Sequence, residues 1–197
     1  MKRRRVLALA GGVVAAAGCL GQENTGPGGP PETESESDGV PDSDGDAACG
    51  KTAVPRTLSQ HDPHPEYDKT TVTVLTPAGA ERDSVTAAIA DTSSLRYTGL
   101  SDTESLPFDR GMLFVYNSGG ERTYVMRDMD FGLDIIFVDE NREITTIHHA
   151  PEPGPDENGE NQTYSGYGQY VLEVNIDWTT ANCVVEGDVL EFELPDD

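Results

Sequence analysis

Basic residues are scarce in this chain. Against 36 Asp plus Glu stand only 13 Lys plus Arg, for a net charge of -23 over 197 residues. That balance excludes a protein that grips a nucleic-acid backbone, since such affinity comes from Lys and Arg neutralising phosphates. Long hydrophobic runs are missing too. The apolar run from Val6 to Gly18 is 13 residues, short of the roughly 20 that a membrane-crossing helix needs. Also absent are a zinc motif, a phosphate loop, a dinucleotide fingerprint and a Gly-X-Ser-X-Gly nucleophile elbow, so the common enzyme classes and cofactors find no support. Hydrophobic content of 36% is low for a chain folded throughout.

Residues 1–18 carry four of the 13 bases (Lys2, Arg3, Arg4, Arg5), followed by the short apolar run and small residues. This is the anatomy of a signal peptide. Arg3-Arg4-Arg5-Val6-Leu7 fits twin-arginine export, and Ala16-Ala17-Gly18-Cys19 resembles a lipobox in which Cys19 becomes the lipid-bearing first residue. The chain is therefore expected at the cell surface, held by lipid on the outer face of the cytoplasmic membrane. An ordinary cleaved signal with an incidental cysteine is the alternative. Residues 19–50 contain eight acids and no base among Gly, Pro and Ser. They cannot bury enough apolar surface to offset their ordering entropy, which predicts a disordered acidic tether.

From Lys51 onward, 28 acids face 9 bases, of which only Lys51 and Lys69 are lysines. Self-repulsion of that size needs salt to screen it, and acidic, lysine-poor surfaces of this kind are similar to those of halophilic archaeal proteins. Residues 51–83 form an N-terminal extension that includes a first strand, Thr70 to Thr76. Val85, Ala87 and Ile89 mark a second strand. A short helix capped by Asp91 covers Thr92 to Thr98 and stops at Gly99. Met112 to Tyr116 and Thr123 to Met126 are expected to pair as a hairpin around Asn117-Ser118-Gly119-Gly120. Leu133 to Val138 pairs with Ile144 to His148, and Pro151 to Gln162 is a loop of functional length. Tyr170 to Val174 is a strand, Ile176 to Asn182 a helical turn capped by Asn175, and Leu190, Phe192 and Leu194 share one side of a last strand. Strands spaced near ten residues apart with so little helix predict a mostly β fold, an antiparallel sandwich or barrel-like single domain with one or two short helices.

Arg96-Tyr97-Thr98-Gly99-Leu100, Gly111 to Val115, Leu133 to Asp139 and Tyr170 to Asn175 together resemble, in order and spacing, the domain of unknown function 192 family, also called uncharacterised protein family 0127. The resemblance covers about Ser84 to Leu194, within a domain assigned to residues 84–197. It implies a compact, mostly antiparallel β-sandwich-like domain, often exported, and no established reaction. The sequence departs from the family pattern at Tyr124-Val125-Met126, Asp128-Met129, Gly132 and Asp177.

Asp134 is the most informative polar residue, because a carboxylate inside Leu-Asp-Ile-Ile-Phe-Val must face water or be buried with a partner. Period two places it with Ile136 and Val138. Arg96, Arg127 or a cluster of backbone N–H groups are its candidate partners. Glu173 poses the same question on its own strand. Arg96, Asp134, His148 and Glu173 are thus the candidate ligand-binding residues of a monomeric, non-enzymatic accessory or small-ligand-binding module, with no catalytic residue assigned. A hydrolase, carbohydrate-active for instance, using Asp134 and Glu173 is the alternative. His61 and His64 with Asp62 and Glu66 read as a solvated entry loop rather than a metal patch, since Pro63 and Pro65 forbid a helix. Neighbouring His148 and His149 point to opposite faces of a strand and cannot chelate together. Met112, Met126 and Met129 read as core filler rather than soft metal ligands. No metal site and no cofactor are expected. With Cys19 spent on lipid, Cys49 and Cys183 remain as an even pair in an exported chain, the arithmetic of a disulfide.

Overall fold

Residues 62–195 are described in the structure, a computed structural model. The expected leader and tether, with Cys19, Cys49 and His61, lie outside the described residues. The elements in chain order are β1 (Lys69–Leu75), β2 (Glu81–Ala90), α1 (Ser93–Thr98), β3 (Arg110–Val125), β4 (Leu133–Val138), β5 (Ile144–Ala150), β6 (Thr163–Asn175), α2 (Trp178–Asn182) and β7 (Val189–Glu191). They form one mostly β domain, a seven-stranded sheet in the order β5-β4-β6-β3-β2-β1-β7. The sheet is mixed. Every neighbouring pair is antiparallel except β2 and β3, which run parallel from Thr86↔Arg110 to Ala90↔Phe114. Parallel neighbours need a crossover, and the segment carrying α1 supplies it. The sheet curls into a half-barrel whose edges meet at one end, where Glu143 bridges Val189 and the Leu190 N–H donates to the Arg142 carbonyl at 2.8 Å.

Both faces of the sheet are covered. Val72, Val74, Leu113, Ile136, Leu172 and Leu190 pack on one face beneath Trp178 of α2. Met112, Phe114, Leu133, Ile135, Phe137 and Val171 pack on the other, beneath Leu100, Met126 and Met129. All six residues of β4 are buried, and alternation sends Ile136 and Val138 to the first face and Leu133, Ile135 and Phe137 to the second, as the two-residue period requires. The three methionines are apolar filler of the second face.

The expected hairpin at Asn117 to Gly120 does not form. β3 is a single strand of 16 residues that pairs with β6 twice, over Gly111–Val115 against Val174–Tyr170 and again from Gly120↔Gly168 to Val125↔Thr163. Between Val115 and Gly120 it gains residues that β6 lacks, and such an excess bends the pair. The bent arm returns across the second face, bringing the Tyr124 ring edge-on to Phe114 at 5.0 Å and Phe137 at 5.7 Å. Gly166 makes the approach possible: a Cβ there would lie 2.6 Å from the Phe137 ring.

Helix termini also differ from expectation. Thr92, not Asp91, caps α1 by accepting from the Leu95 N–H at 3.2 Å, while Gly99 at φ +51 ends it as read from sequence. Asn175 does not cap α2. It ends β6 and donates to the Leu106 carbonyl, and the side chain of Asp177, the residue before α2, makes no capping bond. His64 is buried rather than solvated: Nε2 meets Thr103 Oγ1 at 2.8 Å, and burial lowers its pKa. The loop 151–162 is anchored through the Met126 N–H to the Gly159 carbonyl.

Candidate functional site

The four sequence candidates separate into two places. Asp134 and Ile136 share a face, while Ile135 is the cross-strand partner of Glu173, so Asp134 and Glu173 leave the sheet on opposite sides. Asp134 is fully buried, and its donors are all internal. Oδ1 accepts from His149 Nδ1 at 2.7 Å and the Asp177 N–H at 3.2 Å; Oδ2 accepts from the Thr179 N–H at 2.8 Å and Thr179 Oγ1 at 2.6 Å. Of the expected partners, backbone N–H groups are the ones present, and neither Arg96 nor Arg127 reaches it. Asp134 thereby supplies from a distant strand the cap that α2 lacks in its own sequence. His148 lies against Phe137 and Tyr164, with Nε2 donating to the Ser165 carbonyl at 2.9 Å. Neither residue lines the pocket described next.

Arg96 and Glu173 do meet around one cavity. A half-open pocket of about 160 Å³ lies between α1, the following Gly99-Leu100-Ser101 segment and the returning arm. Its apolar wall is Leu100, Phe114, Met129 and Leu133, and its polar groups are Arg96, Arg127, Tyr116, Tyr124 and Glu173. Glu173 is 5% exposed, between Met112 on β3 and Ile135 on β4. No hydrogen bond of its carboxyl to a described residue compensates that burial. Desolvation pushes its pKa up to about 8, so the group holds its proton at neutral pH. The Tyr124 hydroxyl lies 3.0 Å from that of Tyr116, and burial, with Tyr116 and Glu173 nearby, raises its pKa.

Arg96 and Arg127 at this site, and Arg122 beside it, are held by carbonyls and aromatic rings. Arg96 Nη1 donates to the carbonyls of Val115, at 2.8 Å, and Asp91, and its guanidinium lies 4.7 Å from the Tyr116 ring centre. Arg127 Nη2 donates to the Tyr97 carbonyl and lies over the Tyr97 ring at 4.2 Å. Arg122 stacks on Tyr116 at 3.9 Å and donates to the Ser118 carbonyl at 2.8 Å. None of the three pairs with a carboxylate among the described residues. Lys69, Arg82 and Arg110 do, with Asp62, Asp188 and Asp109. Arg142 likewise has no carboxylate partner among the described residues; it donates to the Phe192 carbonyl near β7, away from the pocket. Among the described residues no group of three or more His, Cys, Asp or Glu converges in a way that could hold a metal ion.

Residues 73–192 match the family model described as DUF192, uncharacterized ACR. The chain belongs to the DUF192 family. The match begins within β1, the strand that joins β2 to β7 in the sheet. Two solved structures share the fold. One, a protein of Sinorhizobium meliloti 1021 provisionally named a transcription regulator, is 27% identical with a TM-score of 0.58, over 64% of this chain and 95% of its own. The other, a protein of unknown function from Novosphingobium aromaticivorans DSM 12444, is 27% identical with a TM-score of 0.55, over 66% of this chain and 89% of its own. No curated protein gives a match.

Arg127, Tyr116 and Tyr124 were not among the sequence's site candidates. What sets Arg127 apart in so acidic a chain is its place over Tyr97 with no carboxylate claiming it among the described residues. That pairing is visible only after the bend in β3 brings the segments together.

Proposed function

We propose that this DUF192 protein is an exported, lipid-anchored module that binds a small ligand in the pocket formed by Arg96, Arg127, Tyr116, Tyr124 and Glu173. The observation that carries the reading is the pairing of two guanidiniums that no carboxylate claims among the described residues with a buried carboxyl around one half-open cavity. Guanidiniums without a counter-ion among the described residues run against composition in a chain of net charge -23, and perturbed groups gathered in a pocket mark functional sites. Binding is favoured over hydrolysis because a carboxylate pair must flank one bond, and here the sheet separates Asp134 from Glu173. The twin-arginine and lipobox features support attachment at the outer face of the cytoplasmic membrane through Cys19, with residues 19–50 as the tether and the acidic surface suited to a saline exterior.

Native extraction from membranes, followed by mass spectrometry of co-purifying small molecules, tests the reading. The native chain should carry a bound species that Arg96→Gln/Arg127→Gln loses. Identical small-molecule content in both would sink the pocket, whereas unchanged processing and membrane retention of Cys19→Ser would sink the anchor alone.

A further inference from the structure

Resting on the reading of this pocket as a ligand site, we infer that its occupant is a small organic carboxylate, with the anion on Arg96 and Arg127 and a compact apolar body against Phe114, Met129 and Leu133. Size sets the first limit. A cavity of about 160 Å³ is close to the engineered cavity of roughly 150 Å³ that accepts benzene, so the enclosed body is about one ring, with polar ends free to reach the mouth.

The second argument is how the guanidiniums are held. Carbonyl oxygens of Asp91, Val115 and Tyr97 take one Nη of each. A carbonyl orients a guanidinium without cancelling its charge. The Nε and Nη2 of Arg96 have no acceptor among the described residues, and that edge of the fork matches a carboxylate with two parallel N–H donors; Arg127, whose Nη2 is engaged by the Tyr97 carbonyl, adds its charge and its Nη1 donors. Tyr116 and Tyr97 stack on the guanidinium faces, which leaves the edges as the available side.

Glu173 completes the specification. Buried with Met112 and Ile135 beside it, its carboxyl is neutral at pH 7 and can donate a hydrogen bond to an acceptor on the ligand. It therefore adds no like charge against the incoming anion. An apolar wall, a protonated acid and two oriented guanidiniums select against a bare inorganic anion, which would leave the wall empty, and against a neutral apolar molecule, which would leave the guanidiniums unmatched.

Ligand-observed fluorine NMR on the full, membrane-extracted protein, at the lowest salt that keeps it folded, separates the possibilities. The probes are 4-fluorobenzoate, its neutral analogue 4-fluorobenzyl alcohol, and inorganic phosphate as competitor. The native chain should broaden the benzoate signal and prefer it to the alcohol by about tenfold or more, the equivalent of roughly 1.4 kcal/mol. Arg96→Lys, which keeps the charge and loses the fork, should weaken benzoate and leave the alcohol unchanged; Arg96→Gln/Arg127→Gln should abolish the preference. Alcohol bound as tightly as benzoate would overturn the carboxylate and leave the pocket standing. Phosphate matching benzoate in competition would overturn the organic body. No broadening by any probe, or benzoate broadening that both variants leave untouched, would overturn the ligand class and the pocket together.

Discussion

Asp134 and Glu173 stand on adjacent strands one register step apart, and that single step decides what each carboxyl can do. Ile135 is opposite Glu173 and Val174 is opposite Asp134, so one acid enters the side of the sheet covered by α2 and the other the side covered by α1 and the β3–β6 arm. Asp134 meets four donors and becomes a structural acceptor. Glu173 meets apolar neighbours and remains an acid.

Removing Asp134 should cost stability rather than binding. Asp134→Ala leaves the buried N–H and hydroxyl of Thr179, and the Asp177 N–H, without their acceptor, a loss of about 3–5 kcal/mol summed over these donors. Asp134→Asn keeps the shape and should lose less. Denaturant unfolding of the two variants measures this, and a loss under about 1 kcal/mol for the alanine would contradict the capping role.

Glu173 sets a pH dependence of defined sign. Its pKa is 4.5 in the ordinary state and about 8 in the fold. Below pH 4.5 the carboxyl is neutral in both states and costs nothing. Between those values the unfolded chain gives up a proton that the fold retains, so stability falls by about 1.4 kcal/mol per pH unit and then levels above the folded value. Glu173→Gln removes that slope. In denaturant titrations the variant should gain on the native chain steadily from pH 5 to about pH 8, and a constant difference across that range would contradict the buried acid.

The period-two pattern of Leu133 to Val138 and the apolar runs of β2 and β6 made the strands and the two buried faces legible in sequence, because alternation is a local property. The bend in β3 was not legible. Asn117-Ser118-Gly119-Gly120 has the composition of a hairpin turn, and what overrides it is distant: β6 pairs with both halves of β3, and Gly166 lets Phe137 sit against the arm. The site divides the same way. Glu173 could be marked as a carboxyl in an apolar strand and Arg96 as a candidate partner of Asp134, but the meeting of Arg96 and Glu173 depends on that bend. Asp134 was legible as buried, and its donors were found partly in a turn 43 to 45 residues away, a separation that no local pattern encodes.

The acidic composition should appear as salt dependence. With 28 acids against 9 bases after Gly50, repulsion is strong where the Debye length is about 10 Å at 0.1 M and mostly screened at about 3 Å in 1 M salt. The midpoint of thermal unfolding should climb markedly from low salt to molar potassium chloride. A midpoint indifferent to salt would refute the halophilic reading.

Cys183 tests the fold's covalent closure. It follows α2 in a left-handed conformation, its backbone N–H donating to the carbonyls of Thr179 and Thr180, and it is disulfide-bonded. The partner lies outside the described residues. With Cys19 proposed to carry lipid, Cys49 is the remaining cysteine of the three in the chain, so the expected bond ties the entry of the domain to the turn before β7. A loop of more than a hundred residues closed this way is worth about 4–5 kcal/mol in the chain-entropy account, less any native strain. Alkylation of denatured, unreduced protein recovered from the cell surface should label neither Cys49 nor Cys183, and reduction should expose both. Cys49→Ser should leave Cys183 open to labelling and lower the unfolding free energy, and Cys183→Ser should do the same from the other side, with no further loss when the two are combined. Free labelling of both thiols in the native chain, or losses that add in the double variant, would reject the bond.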